Sequence, residues 1–299
     1  MKIFNDITNL VGNTPLVKLN KIDFVQNRRI FAKLEFLNPT GSIKDRTALA
    51  MISAAEEKGI LKKESNIIEA TSGNTGIALA AICAIKGYNL TLTMPEAVSE
   101  ERKKLLKFLG VKLILTSFNK GMQGAIKKAE ELAKSISDSY IPQQFENLAN
   151  PEMHRKTTAE EIWQDTEGEV DIVVAGIGTG GTITGIAQGI KEKKRDFRVI
   201  GVEPADFPHK IEGIGAGFVP SVLQTELIDE TIKVKDKDAF GMMQRLAKEE
   251  GILAGVSSGA TVWAVGQIVL RKEMENKLIV VILADGAERY LSERLAVSV

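Results

Sequence analysis

Two observations predict a doubly wound α/β architecture. Short apolar strands alternate with helices of 3.6-residue periodicity along the chain, which calls for parallel sheets covered by helices on both faces. Glycine-bearing loops follow several of the strands, at the ends where such sheets bind ligands. At 299 residues the chain has room for two domains. A second block of alternation begins near Phe145–Pro151, so the domains are expected at residues 1–147 and 148–299.

Taken in order, Leu16-Val17-Lys18-Leu19 follows a Gly12-Asn13-Thr14-Pro15 turn and reads as a strand. Ile30–Phe36 alternates, with Ile30, Ala32, Leu34 and Phe36 on one face. The segment at about 13–36 is expected to pair with the second domain. Pro39 and Gly41 then set a turn, Ser42 is a ready N-cap, and a helix opens at Lys44. Strands at Asn66–Glu69, Leu90–Met94 and Val111–Leu115 precede helices at Asn74–Lys86, Ser99–Leu109 and Gly121–Ser137. The last is the clearest, with Met122, Ala125, Ile126, Ala129, Leu132, Ala133 and Ile136 on one stripe. In the second block a helix at Pro151–Thr166 leads to strand Ile172–Ala175, helix Thr182–Lys193 and strand Val199–Glu203. Helices at Asp238–Glu250 and Ala260–Leu270 and a strand at Leu278–Leu283 complete the rhythm. Both domains are therefore expected to be Rossmann-like.

Composition excludes several classes. Lys+Arg and Asp+Glu both total 39, so no net charge draws the chain to nucleic acid or to an anionic membrane. The single cysteine, Cys83, rules out an internal disulfide, and with two histidines it makes a zinc site improbable. No run approaches the roughly 18 apolar residues of a spanning helix, and the first residues lack a signal-peptide core, so a cytoplasmic location is expected. The charge cluster Glu100–Lys104 reads as a solvated helix face.

Four stretches carry chemistry. Lys44 opens a helix, where the dipole disfavours a cation and so favours the neutral, nucleophilic amine. A lone lysine there is more often surface decoration. Gly176-Ile177-Gly178-Thr179-Gly180-Gly181-Thr182 links a strand to a helix, as a phosphate cradle does. The same run satisfies G-x-G-x-x-G with Glu203 ending the next strand, so a nicotinamide-dependent oxidoreductase is an alternative. Thr71-Ser72-Gly73-Asn74-Thr75-Gly76 offers hydroxyls, an amide and N–H groups suited to a carboxylate, or only a capped turn. Gly255-Val256-Ser257-Ser258-Gly259 matches a hydrolase nucleophile elbow, but His154 and His209 both precede Ser257, so the chain order of a hydrolase is not met.

In combination these stretches resemble a family. Asn38–Arg46, Thr71–Gly76, Gly178–Thr182, Gly213–Pro220 and Gly255–Ala260 occur in the order and spacing of the cysteine synthases. These O-acetylserine sulfhydrylases are fold type II pyridoxal-phosphate enzymes related to the tryptophan synthase β subunit. The resemblance covers nearly the whole chain, Gly12–Val17 and Glu288–Ser292 included. It implies pyridoxal 5'-phosphate in a cleft between two domains, with Lys44 as the lysine that forms the Schiff base. Gly178, Thr179, Gly180, Gly181 and Thr182 would hold the phosphate, Asn74 the ring hydroxyl and Ser257 the pyridine nitrogen. Thr71, Ser72, Gly73, Asn74, Thr75 and Gln144, with Gly213, would bind substrate. The implied reaction makes L-cysteine from O-acetyl-L-serine and sulfide through an aminoacrylate.

A related donor set, cysteine or serine, would give sulfide release, lanthionine or cystathionine. Relatives form homodimers, and some bind the C-terminal tail of serine acetyltransferase. The chain departs from the family pattern in a short stretch between Glu203 and His209, and at Leu148, Asp285 and Ala287. These departures leave the sulfur nucleophile open. A binding protein that has lost catalysis is the third reading, against which the presence of Lys44 speaks.

Overall fold

A computed structural model describes residues 3–293 apart from 27, 72, 97 and 99. Strands β1 (Leu16–Lys18) and β2 (Arg29–Leu34) precede helix α1 (Lys44–Glu57). There follow β3 (Asn66–Ala70), α2 (Asn74–Lys86), β4 (Asn89–Pro95), α3 (Glu100–Phe108), β5 (Lys112–Thr116), α4 (Gly121–Ser135) and β6 (Ser139–Tyr140). The remainder is α5 (Ala149–Lys156), α6 (Thr158–Asp165), β7 (Ile172–Gly176), α7 (Gly181–Lys191), β8 (Arg198–Pro204) and β9 (Glu230–Val234). Then come α8 (Asp236–Arg245), α9 (Val256–Ile268) and β10 (Leu278–Leu283).

The chain divides into two compact units, residues 1–11 with 44–149, and residues 12–43 with 150–299. The first holds a fully parallel sheet in the order β5-β4-β3-β6. Alternation along β3 sends Ile67 to an apolar layer with α1 and α2, and Ile68 and Ala70 to a layer with Ala125 and Ala129 of α4. Cys83 lies in the first of these layers, and burial pushes its thiol up to about 12, an inert group.

The second unit holds a six-stranded sheet in the order β1-β2-β10-β7-β8-β9, parallel except where β1 meets β2. β10 is buried on both faces, which is why it reads as an unbroken apolar run. Ile279, Val281 and Leu283 face α8 and α9, and Leu278, Val280 and Ile282 face α6 and α7.

Gly12–Ile43 is fastened inside this second unit by a buried polar network. Lys33 on β2 donates to the Thr14 carbonyl and pairs with Glu161 at 2.8 Å. Glu35 accepts from the Thr14 hydroxyl at 2.6 Å and from the Asn38 amide at 2.9 Å, while Asn38 Oδ1 accepts from the Gly12 N–H at 2.8 Å. Buried charges of this kind persist only when their partners are supplied. The network therefore fixes both ends of the segment, including the loop that runs down to Lys44.

Several local expectations change. The helix expected over 151–166 is two helices, because Thr157 leaves the helical region (φ −122°, ψ −70°) and returns both its N–H and its hydroxyl to the Met153 carbonyl. Ahead of α1, which opens at Lys44 as expected, the Ser42 backbone bridges Asp285 and the neighbouring Ile43 N–H donates to the Ala284 carbonyl at 2.8 Å. Helix α9 begins at Val256, four residues early, so Ser257 sits in a first helical turn and not on a strand-to-helix elbow. Arg102 is buried, so the face that carries it is not wholly solvated. β6 and β9 lie at sheet edges and were not expected.

Helix α7 packs against α5 through Gly185, where a Cβ would meet the Pro151 carbonyl oxygen at 2.3 Å and His154 Cβ at 2.6 Å. Gly→Ala inside a helix ordinarily stabilises by about 0.5–1 kcal/mol, whereas overpacking costs about 1–3 kcal/mol. With backbone in the way, overpacking dominates at this position. Gly185→Ala is predicted to lower stability by about 1–2 kcal/mol in urea unfolding. Gly241→Ala on α8, where nothing lies within 4 Å of the added methyl, is predicted to raise it by about 0.5–1 kcal/mol.

Candidate active site

In the first unit Thr71, Gly73, Thr75 and Gln144 gather at the carboxyl end of β3, and Lys44 lies on α1. Lys44 is the first residue of α1, half-buried, and is followed by the buried Asp45 and Arg46. The β3–α2 loop starts at Thr71, whose N–H donates to the Thr93 carbonyl of β4 at 3.1 Å and whose hydroxyl accepts the Gly73 N–H at 3.2 Å. Gly73 is the N-cap of α2, extended at φ −128°, and Asn74 and Thr75 form its first turn. Ser72 lies outside the described residues.

Thr75 donates its hydroxyl proton to Gln144 Oε1 at 2.7 Å, so the structure brings Thr71, Gly73, Thr75 and Gln144 together. Gln144 arrives on a turn closed by the Glu146 and Asn147 N–H groups on the Gln143 carbonyl, each at 2.9 Å. The free end of a helix, two hydroxyls and a primary amide make a neutral, donor-rich site that suits a carboxylate.

In the second unit the Gly176–Thr182 loop joins β7 to α7. Its shape is dictated by close backbone approaches. A Cβ on Gly178 would lie 2.2 Å from the Gly213 carbonyl oxygen, and Gly180 holds φ +85° at the N-cap of α7. Gly181 abuts the buried Asn150 amide, which also donates to the Thr179 hydroxyl at 3.0 Å. The Thr182 hydroxyl lies 3.2 Å from Nε2 of the buried His154, whose Nδ1 lies 2.9 Å from the Thr158 hydroxyl. Among the described residues no protein acceptor takes the N–H groups of Gly178, Thr179 or Gly180. A glycine-rich loop with these three N–H groups unengaged at a helix N-terminus fits a phosphate ester.

Ser257 is buried in the first turn of α9, next to Ser258, whose hydroxyl accepts the Ala284 N–H at 3.0 Å. Asp285 anchors the start of that helix: its carbonyl accepts the Gly255 N–H at 2.8 Å, and its carboxylate accepts from the Tyr290 phenol. Glu203, which a dinucleotide site would direct at a ribose, pairs instead with Lys233. Sequence reasoning did not single out Asn150, His154 or Glu69. The first two sit among ordinary polar residues of the short helix α5 and carry no local signal. Glu69 does carry one: it is a carboxylate ending the apolar run Ile67-Ile68 of a buried strand.

A glycine-rich strand-to-helix loop with unengaged N–H groups on one sheet, and a donor-rich loop at the end of β3 on the other, fit the class of α/β enzymes that handle a phosphorylated cofactor. Residues 7–285 match the family described as pyridoxal-phosphate dependent enzyme. Cysteine synthase A of Escherichia coli K12 is 50% identical over 98% of this chain and 96% of its own length. The crystal structure of a cysteine synthase from Entamoeba histolytica superposes with TM-score 0.94 at 42% identity, over 98% of this chain and 91% of that one. A hydrogen sulfide-producing enzyme from Fusobacterium nucleatum superposes with TM-score 0.92 at 44% identity, over 97% of this chain and 100% of that one. The chain belongs to the pyridoxal-phosphate dependent enzymes, in their cysteine synthase family. Pyridoxal phosphate is its cofactor, and among the described residues no helix is long and apolar enough to cross a membrane.

The Gly178–Gly213 contact gives a direct prediction. Gly178→Ala must displace backbone and spoil at least one charge-assisted N–H contact to a phosphate, at about 1.5–3 kcal/mol. Cofactor affinity is predicted to fall about ten- to a hundredfold, measured by titrating pyridoxal phosphate into the resolved apoenzyme.

Proposed function

We propose that the chain forms L-cysteine from O-acetyl-L-serine and sulfide by β-replacement. What carries this is the likeness to cysteine synthase A at half identity over almost the entire chain. When bound, pyridoxal phosphate supplies an aldehyde that condenses with amines and a ring that withdraws electrons from the substrate α-carbon.

The chain's own residues divide the remaining work. The Gly178–Thr182 loop would bind the phosphate through peptide N–H groups, with Asn150 and His154 holding the Thr179 and Thr182 hydroxyls in place. The Lys44 amine would attach the cofactor and, when released by the incoming amino acid, take the α-proton and later return it. Asn74 would orient the ring through its hydroxyl. Thr71, Ser72, Thr75 and Gln144 would hold the substrate carboxylate, and closing the Gly73 turn over it would exclude water.

Ser257 decides which reaction follows. A serine hydroxyl is too weak an acid to keep a pyridine nitrogen protonated. Electron demand at the α-carbon is then modest, which favours departure of a β-substituent over amino-group transfer.

A second reading is favoured by the likeness to the hydrogen sulfide-producing enzyme. The same site would then take cysteine or serine as donor and release sulfide or form lanthionine or cystathionine. A panel of O-acetylserine, O-phosphoserine, serine and cysteine against sulfide, homocysteine and cysteine separates the two. Highest kcat/KM with O-acetylserine and sulfide supports the first; highest with cysteine as donor overturns it. In keeping with the family we also propose a cytoplasmic homodimer, open to the C-terminal tail of serine acetyltransferase. Light scattering and tail-peptide titration test those two associations.

Lys44→Ala is predicted to lower β-replacement by about a thousandfold or more, since one residue supplies both attachment and proton transfer. The assay is cysteine formation from O-acetylserine and sulfide. Wild-type turnover in that variant would show that another amine does the work.

A further inference from the structure

Glu69 is a carboxyl group inside an apolar layer. It follows Ile67 on the same face of β3, stands in register with Leu92 of β4, and is 3% exposed. Its two oxygens do separate jobs. Oε2 accepts the Gln143 N–H at 3.0 Å and Oε1 accepts the Gln144 N–H at 3.4 Å. Gln143 itself holds a left-handed φ of +56°, a conformation that a non-glycine residue keeps only when its surroundings enforce it. The turn so gripped carries the Gln144 amide to the Thr75 hydroxyl.

We propose that Glu69 is the positioning residue of the amino-acid carboxylate site, its carboxylate clamping the Gln143–Gln144 turn and thereby setting Gln144 against Thr75. The proposal rests on the assignment of Thr75 and Gln144 to the substrate carboxylate. Glu69 touches neither substrate nor cofactor in this scheme and acts only through the turn.

The clamp works in one protonation state. Burial pushes the Glu69 carboxyl up to about 7, and outweighs the two N–H groups that pull it down. The phenol of Tyr140 on β6 faces it, and its own ionisation is pushed up by burial. Of the other elements in this layer, β4 carries no charged side chain. α1 opens with Lys44, Asp45 and Arg46 and α3 carries the buried Arg102, none of which pairs with Glu69, and the one charge of α2, Lys86, pairs with Glu56. When a proton binds, one oxygen becomes a donor and a much poorer acceptor of an N–H. The longer contact is the one to yield, so the Gln144 N–H loses its acceptor in a buried site. The clamp is thus closed above about pH 7 and slackens below it.

Isothermal titration of the holoenzyme with L-alanine, which has no β-leaving group, reads carboxylate-site affinity without turnover. Glu69→Gln mimics the protonated state at all pH values. The ratio of wild-type to Glu69→Gln affinity is expected to be about one at pH 6 and to grow to about three- to tenfold at pH 8. Taking the ratio cancels the titration of the alanine amine. A ratio constant over this range, or equal to one at pH 8, overturns the proposal. Gln144→Ala in the same assay separates the two levels: unchanged affinity removes the carboxylate assignment and the proposal with it. Weakened binding in Gln144→Ala together with a constant Glu69→Gln ratio overturns the proposal alone. Should Glu69→Gln fold poorly, the Gln144 amide proton shift in the wild-type protein is the second measurement. It is expected to titrate near pH 7, and a shift indifferent to pH between 6 and 8 overturns the clamp.

Discussion

Everything at the candidate cofactor site depends on how closely peptide backbone can approach the N-terminus of α7. The Gly213 carbonyl sits so near Gly178 that a methyl group cannot be inserted. An anion at this point must therefore be held by N–H groups and a helix dipole and not by a cationic side chain. Such an arrangement supplies binding without a mobile charge, but only if the helix end is immobile. The packing behind it provides that: Asn150 lies against Gly181, His154 links Thr182 to Thr158, and Pro151 presses on Gly185.

On the proposed reading, the other unit solves a different problem. A substrate carboxylate has to be gripped tightly enough to orient it and loosely enough to let product go. Hydroxyls and an amide suit that better than a guanidinium, whose bidentate pair would hold harder. Such neutral donors bind well only when preorganised. The structure shows the preorganisation in the Thr75–Gln144 hydrogen bond and the turn beneath it.

Much of this was legible in the sequence, for physical reasons. Of the strands in the sheet interiors, β7, β8 and β10 are buried on both faces and so read as near-continuous apolar runs. Helix α2 has sharp ends because Gly73 and Gly87 bracket it. The glycines of the cradle and the position of Lys44 stand out because no ordinary turn needs so many. What escaped is what depends on distant partners. β9 alternates only weakly because one edge of it is solvated. The break at Thr157 arises from a side chain turning back on its own helix. The early start of α9 follows from Asp285, thirty residues downstream, which caps Gly255 through its backbone carbonyl. The contacts of Asn150 and His154 with the cradle are visible only once α5 lies beside α7.

The strand order of the second unit also bears on how the protein is made. β2 is flanked by β1 on one side and by β10 on the other. As the chain leaves the ribosome, β2 emerges early, while its second neighbour waits until Leu278–Leu283 has been synthesised. Through nearly the whole of translation one edge of an apolar strand is therefore without its native neighbour, the state in which strands join the wrong chain. Residues 1–11 and 44–149, which form one compact unit, are complete long before then. The nascent protein thus holds a finished half and an open strand at the same time, and shielding that edge falls to chaperones and to the speed of elongation.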